Sequence, residues 1–385
     1  MRKIAVITST RAEYGILRPL LQQIEQDEQL SLELIVTGTH LLKEHGFTVT
    51  EIEKDFSTFL KIPMKFQANS AEANSYAMAQ LQSDITKLFS ELSPDIVVIL
   101  GDRFEILSVA ISAMMLHIPI AHIHGGELTQ GAMDDAIRHA ITKLSHLHFS
   151  STQEYAQRLI QMGEQPSRVF NVGSLGVENI KNTPLLSKKE LEDSLGFVFS
   201  QQNILFTYHP QTLSSFSAQE QIAVVLEALE HFNNLGIIFT KSNVDEGGEL
   251  INQKLKEFVT SHPNSMLIDS LGLVRYFSTI KIVDCVVGNS SSGILEMPSF
   301  HTPTVDIGER QRGRVYAQSV IKTPLEVQSI VNAIQKALSK EFQATIQKYK
   351  NPYEGKDTSL TIKEILKNIT LEELQSKEFY TIPQS

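Results

Sequence analysis

Short runs of Val, Ile and Leu alternate along this chain with longer stretches whose apolar residues recur every three or four positions. In the first half the runs predict strands over 3–8, 32–37, 96–100, 118–123 and 169–172, and the periodic stretches predict helices over 14–26, 71–92, 104–116, 135–146 and 153–162. Strands that alternate with helices in this way form a parallel sheet covered on both faces. The pattern pauses after Gly173-Ser174-Leu175-Gly176, and Thr183 to Leu191 reads as a loop entering a capped helix. It then resumes, with strands over 204–208, 237–240, 266–268, 282–287 and 304–307 and helices over 218–232, 249–261, 271–278 and 325–338. Two similar α/β domains, 1–175 and 176–385, with a cleft between them, are the simplest architecture. A last helix over 360–369 and an acidic tail follow a polar connection after Lys350, and this terminal piece, from about residue 358, is expected to belong to the second domain.

A chain of 385 residues is longer than one hydrophobic core usually serves, which agrees with a division in two. There is no apolar run of about eighteen residues, and the amino terminus enters a strand directly, so neither a membrane span nor a signal peptide is expected. The single cysteine, Cys285, cannot form an internal disulfide, and a reducing, cytoplasmic setting is expected. A net charge of −10 argues against nucleic acid as a partner, which needs a basic surface. It leaves room for an anionic small molecule held by a few arginines. A homodimer or homotetramer is expected.

The densest chemistry lies in residues 120–150, which hold five of the twelve histidines and three carboxylates. The stretch leaves an apolar run through His122-Ile123-His124, crosses Gly125-Gly126 and enters a helical pattern with Ala136, Ile137, Ala140, Ile141 and Leu144. On a strand, His122 and His124 point to one face, and Glu127, Asp134 and Asp135 follow on the loop and helix start. Imidazoles and carboxylates gathered at a strand end suit proton transfer, because imidazole titrates near neutrality and burial raises a carboxyl towards it. The competing reading is helix capping and core hydrogen bonding. The H-x-H spacing also resembles a metal site, but no C-x-x-C accompanies it and no metal is expected.

The strand over 96–100 runs into Gly101-Asp102-Arg103. Charges at the carboxyl end of a buried parallel strand are costly without a role, which makes Asp102 a catalytic candidate; the alternative is a helix cap with Arg103 in a salt bridge. After the first strand, Thr8-Ser9-Thr10-Arg11 offers backbone N–H groups and a cation to an anion, or only a capped helix. No G-x-G-x-x-G fingerprint for a dinucleotide is present. In the second half, Val287-Gly288-Asn289-Ser290-Ser291-Ser292 leads a strand into hydroxyl residues and a short helix, features that suit a diphosphate. Glu296 follows one turn on as an acceptor for ribose hydroxyls, His209 follows the strand over 204–208 as a further donor, and Arg310, Arg312 and Arg314 add cations. A serine-capped helix and a solvated basic turn are the alternative.

With Thr10-Arg11-Ala12-Glu13, Gly101-Asp102-Arg103, His122 to His148, Tyr208-His209-Pro210, Asn243, Gly288 to Glu296 and Arg310 in this order, the chain resembles the hydrolysing UDP-N-acetylglucosamine 2-epimerase family over nearly its whole length. The resemblance implies the glycosyltransferase-B type of fold, two Rossmann-like domains with an inter-domain cleft, and a UDP-sugar as the small-molecule partner; no cofactor is expected. It also implies a two-stage reaction. The C2 proton is removed and UDP expelled from C1, giving a 2-acetamidoglycal; water then adds at C1 and a proton returns to C2 on the other face. Carried over residue by residue, Asp102 and Asp134 are acid/base candidates and His122 is a site histidine. Many relatives carry a glutamate where this chain has His124, so either His124 or Glu127 takes that proton transfer. Arg11, Arg103, His209, Asn243, Ser290, Ser291, Glu296 and Arg310 match positions that hold UDP, and Tyr276, by its place beside Arg275, is a candidate to pack on the uracil. UDP-N-acetylglucosamine, on the way to sialic acid, is the expected substrate, with the UDP-N,N'-diacetylbacillosamine of legionaminic acid synthesis as the alternative. A glycosyltransferase of the same fold and a nucleotide-sugar binding protein without turnover are the competing functions.

Overall fold

The computed structural model describes residues 1–383 apart from 44–45, 66–69, 130–132, 212–215, 243–246 and 375. Among the described residues, β1 (Arg2–Thr8), β2 (Leu30–Val36), β3 (Leu60–Lys61), β4 (Ile96–Leu100), β5 (Ile120–Ile123), β6 (Leu147–Ser150) and β7 (Val169–Asn171) form one sheet in the order β3-β2-β1-β4-β5-β6-β7. A second sheet takes β8 (Gln202–Thr207), β9 (Leu235–Thr240), β10 (Ser265–Ile268), β11 (Cys285–Gly288), β12 (Thr304–Ile307) and β13 (Val320–Thr323) in the order β10-β9-β8-β11-β12-β13. Neighbours in both sheets run parallel.

The apolar runs become strands because both of their faces are covered. In β1, Ile4 and Val6 pack with Leu17, Leu20, Leu21 and Ile24 of the helix Arg11–Glu25, while Ala5 and Ile7 face Leu81, Ile85 and Phe89 of the helix Ala71–Leu92. In β8, Ile204 and Phe206 join Val225 and Ile330, and Leu205 joins Phe277 and Ile280 on the other side. Neither β6 nor β13 lies within the apolar runs. Leu147-His148-Phe149-Ser150 alternates apolar and polar residues, yet all four are buried because β6 lies between β5 and β7.

Chain order reverses once in each sheet. β1 leads outward to β2 and β3, and the chain returns to β4 on the other side of β1; in the second sheet the same reversal separates β8 from β11. Connections diverge at such a point and leave a crevice at the carboxyl ends of the two strands, where α/β sheets bind their ligands. The turns after β1 and β4, and those after β8 and β11, are thereby singled out.

The chain forms two compact units, Met1–Asn179 with Tyr353–Ser385, and Ile180–Pro352. The last helix, Thr358–Asn368, and the tail thus belong to the first unit, which corrects the expectation that they extend the second. Their side chains explain why. Ile362 and Leu366 are fully buried in the core that holds Leu17 and Leu20, Arg2 Nη1 donates to the Leu366 carbonyl at 2.6 Å, and Asp27 accepts from Lys363 and Lys367 at 2.9 Å each. Among the described residues, no helix is long and apolar enough to cross a membrane.

Candidate active site

Beside β1 and β4, the start of the helix Arg11–Glu25 points a carboxylate inward. Its capping box is built from Thr10 and Glu13: Thr10 Oγ1 accepts from Glu13 N, and Glu13 Oε2 accepts from Thr10 N. The same oxygen also accepts from Ser9 N at 2.8 Å and Ser9 Oγ at 2.6 Å. Glu13 is buried, and burial pushes its carboxyl up to about 7, with the Ser9 hydroxyl opposing and Glu105 adding to the rise. Glu105, in the first turn of the helix Phe104–Met115, accepts from Arg103 Nε at 2.7 Å. Among the described residues, Glu13 Oε1 and Glu105 Oε2 are buried without a hydrogen-bond partner. Arg11 behaves otherwise: it is exposed and pairs with Glu51 at 2.9 Å.

β5 ends at Ile123, and His124 leaves the strand with φ +64. His122 and His124 therefore do not share a strand face. His122 is fully buried, with Nε2 2.8 Å from the Gly101 carbonyl and Nδ1 3.3 Å from Thr142 Oγ1. Burial lowers it to about 3, so the ring is neutral at physiological pH. A carbonyl only accepts, hence Nε2 carries the proton and Nδ1 accepts from Thr142. This histidine pins the turn that presents Asp102. His124 Nδ1 lies 3.7 Å from Glu127 Oε1, which also accepts from Ser151 Oγ at 2.7 Å. The chain between them passes close under the helix Gln153–Gln161: Gly126 has φ +78, and a Cβ there would sit 2.5 Å from the Tyr155 carbonyl.

Asp102 lies on the turn between β4 and the helix Phe104–Met115. Arg138, buried on the helix Met133–Leu144, donates to the Asp102 carboxylate and, through Nη1, to the His124 carbonyl at 2.8 Å. Asp134 starts the same helix; burial raises its carboxyl, with Arg103 and Arg138 opposing. Asp134, Arg138 and Thr142 recur every four residues and so occupy one stripe of that helix. The fold thus brings Asp102, His122 and His124 together through Arg138 and Thr142.

Beside β8 and β11, a second group assembles. Gly288 has φ +142, and a Cβ there would fall 1.8 Å from the Thr207 carbonyl, so only glycine lets β11 leave the sheet this close to β8. Buried Asn289 accepts from His209 N and donates to the His209 carbonyl, each at 2.8 Å. The Asn289 carbonyl accepts from Arg310 Nη1 at 3.3 Å and Gln311 Nε2 at 2.9 Å. Ser290 and Ser291 are half-buried. Ser291 makes no side-chain cap, and the helix it precedes, Ser292–Leu295, is a single turn. Ser292 joins the Tyr276 hydroxyl to the Glu296 carboxyl by two hydrogen bonds. Burial pushes Glu296 up to about 7, the Ser292 hydroxyl opposing, and burial beside Glu296 also raises the Tyr276 hydroxyl. Asn243 lies outside the described residues.

The family model for UDP-N-acetylglucosamine 2-epimerase matches residues 22–367. The chain belongs to this family. It is 44% identical over 380 residues to the GDP/UDP-N,N'-diacetylbacillosamine 2-epimerase (hydrolyzing) of Campylobacter jejuni, covering 98% of both chains. It is 40% identical over 387 residues to the polysialic acid biosynthesis protein P7 of Escherichia coli, covering 100% of this chain and 98% of that one. In fold it is similar to the UDP-GlcNAc 2-epimerase of Neisseria meningitidis solved with UDP-GlcNAc, with a TM-score of 0.75, 18% identity and coverage of 96% of this chain and 100% of that one. The two Rossmann-like units therefore have the glycosyltransferase-B type of fold.

In the first unit, Glu105, Arg138 and Thr142 escape a reading of the sequence and Glu13 enters it only within the Thr10–Glu13 motif; in the second, Asn289 and Ser292 enter it only within the Gly288–Glu296 motif. Two carried a usable signal. Thr10 with Glu13 spells a capping box, and Arg138 stands four residues after Asp134 on one helical face. What the pattern lacks is burial, which turns a surface cap and a surface ion pair into site chemistry.

Proposed function

We propose that the protein is a hydrolysing UDP-sugar 2-epimerase, converting UDP-N-acetylglucosamine or a close 2-acetamido relative and water into the free 2-epimer and UDP. The observation that carries this is the full-length 44% identity to an enzyme named as a hydrolysing 2-epimerase. In the first stage a base takes the C2 proton while the C1–O bond to UDP breaks, leaving a 2-acetamidoglycal. In the second, water adds its oxygen to C1 and C2 gains a proton on the opposite face.

We assign the C2 base to His124, oriented by Glu127 as a carboxylate orients imidazole in other proton-transfer sites. Asp134, whose carboxyl is raised by burial, suits the acid that returns a proton to C2. Asp102, held by Arg138, is the second acid/base group. His122 is given the task of fixing the Asp102 turn. His209, Ser290, Ser291 and Arg310 supply donors for the diphosphate, Glu296 acceptors for ribose hydroxyls, and Tyr276 an apolar face for the uracil; Arg11, Arg103 and Asn243 remain candidates for UDP contacts. The reading includes a cytoplasmic homodimer or homotetramer with no affinity for nucleic acid or membrane.

The name of the Campylobacter jejuni relative favours a second reading of the substrate, one with a further acetamido group at C4. One assay separates the cases. The protein is incubated with each UDP-sugar in deuterated water and the products are read by NMR. Free 2-epimer carrying deuterium at C2, with UDP, is expected, and the faster substrate assigns the sugar. Sugar still bound to UDP would remove the hydrolysing reading, and C2 without deuterium would remove the elimination. Asp102→Asn is expected to lower turnover on the order of a hundredfold or more while keeping UDP affinity. Arg310→Ala is expected to weaken UDP about tenfold or more by calorimetry.

A further inference from the structure

The acidic tail offers no chemistry in the sequence, yet Lys377 within it clasps the helix that carries Asp134 and Arg138. Lys377 Nζ donates to three carbonyls at the carboxyl end of the helix Met133–Leu144: Thr142 at 3.1 Å, Lys143 at 2.8 Å and Ser145 at 2.5 Å. It also meets Glu164 Oε2 at 2.7 Å. An ammonium has three protons, so these acceptors saturate it, and a cation is favoured where helix carbonyls lack partners.

The clasp has a second layer. Buried Glu164 also accepts from Lys143 Nζ at 2.6 Å and lies 2.8 Å from His148 Nε2. Burial by itself raises the Glu164 carboxyl, but His148, Lys143 and Lys377 outweigh it and bring it down to about 2. His148 lies on β6, in register with His122 on β5. The tail is anchored on both sides of Lys377. Arg168 Nη1 donates to the Ser376 carbonyl at 2.9 Å and Leu374 is fully buried. Beyond it, Tyr380 N donates to the Gly163 carbonyl at 2.8 Å, and the Phe379 ring covers Gly163 so closely that a Cβ there would lie 2.2 Å from it.

A helix behaves as a rod with about 1.5 Å of rise per residue, so a slip or tilt at one end is passed to the other. Thr142 shows the link in one residue: its side chain meets His122, and its carbonyl meets Lys377. We propose that Lys377 is a positioning residue for the epimerase reaction. By clamping the carboxyl end of the Met133–Leu144 helix, it sets where Asp134 and Arg138 stand. The inference rests on the reading of Asp134 as an acid/base group.

The test uses the full chain with Lys377→Met, Lys377→Arg and Asp134→Asn, assayed well below the unfolding temperature. Lys377→Met is expected to lose turnover on the order of tenfold or more, with UDP affinity and KM within about twofold of the parent. Amide exchange across residues 134–142 should quicken, and Lys377→Arg should recover part of the rate. Phe379→Ala, which alters an exposed ring and leaves the ammonium, is the second variant should Lys377→Met fail to fold; a smaller fall in kcat at unchanged UDP affinity is expected. Parental turnover in Lys377→Met or, failing that, in Phe379→Ala, or a loss shared equally by kcat and UDP affinity, would overturn the proposal. Parental turnover in Asp134→Asn would instead sink the reading of Asp134, whereas an inactive Asp134→Asn beside a fully active Lys377→Met sinks only the clamp.

Discussion

At the scale of single residues, burial decides between chemistry and scaffolding. Arg11 and Glu13 are two positions apart, and the arginine is the more eye-catching of the pair in the sequence. In the fold Arg11 lies outside with Glu51, while Glu13 is buried with its carboxyl raised to about 7. Likewise His122 has both ring nitrogens engaged and is neutral, whereas His124, in a left-handed turn, lies beside a carboxylate. Asn289 is the matching scaffold residue in the second unit. Asn289→Ala would leave His209 N and the His209 carbonyl without their side-chain partner, at a cost of about 1–3 kcal/mol for each buried group that water cannot reach. Calorimetry should find UDP bound roughly tenfold more weakly, with the Asp102 variant as a control for unchanged affinity. That acids, imidazoles and arginines gather at strand ends was legible, since such residues are conspicuous there. Which of them are buried was not, because burial depends on what packs overhead.

At the scale of elements, the helix Thr358–Asn368 shows how little an amphipathic pattern says about its destination. The spacing of Ile362 and Leu366 predicts a helix with one apolar face, and any open core could receive it. In the fold it covers the first unit, fastened by Arg2 and Asp27. Leu366→Ala is accordingly expected to destabilise the first unit by about 2–5 kcal/mol. Urea unfolding followed by amide exchange should show protection lost in β1 and kept in β8; loss in β8 alone would contradict the assignment. β6 teaches the same lesson for strands. Four residues carry too few apolar positions to stand out, and the neighbours β5 and β7 supply the burial that its own sequence does not announce.

At the scale of the whole molecule, the two units carry opposite proton linkages. In the first, burial lowers His40 and His146 to about 4 and His122 to about 3, and His139 and His148 shift the same way. A lowered histidine takes up its proton more readily when unfolded, so its effect is to reduce stability as pH falls below about 6.5. Glu13 and Asp134 are raised and act in the opposite sense, their contribution growing as pH falls and lost as it rises through the folded value. Five histidines against two acids leave the first unit less stable at pH 5 than at pH 7. The second unit has Glu296 raised to about 7 and Asp306 to about 6 by burial, and gains stability over the same interval. Exchange of core amides in β4 and β11 at the two pH values, corrected for intrinsic rates, should move in opposite directions; a common shift would refute this.

Periodicity and turn chemistry are local, and so the sequence by itself determined that there are two α/β halves, where most strands and helices lie, and which turns gather acids, imidazoles and hydroxyls. Sheet order, the reversal points beside β1 and β4 and beside β8 and β11, the return of the terminal helix to the first unit, and the meetings of Arg138 with Asp102 and of Lys377 with the end of its helix belong to the tertiary structure alone. Each of these depends on contacts between residues far apart in the chain, and on the burial those contacts create, which no stretch of sequence contains.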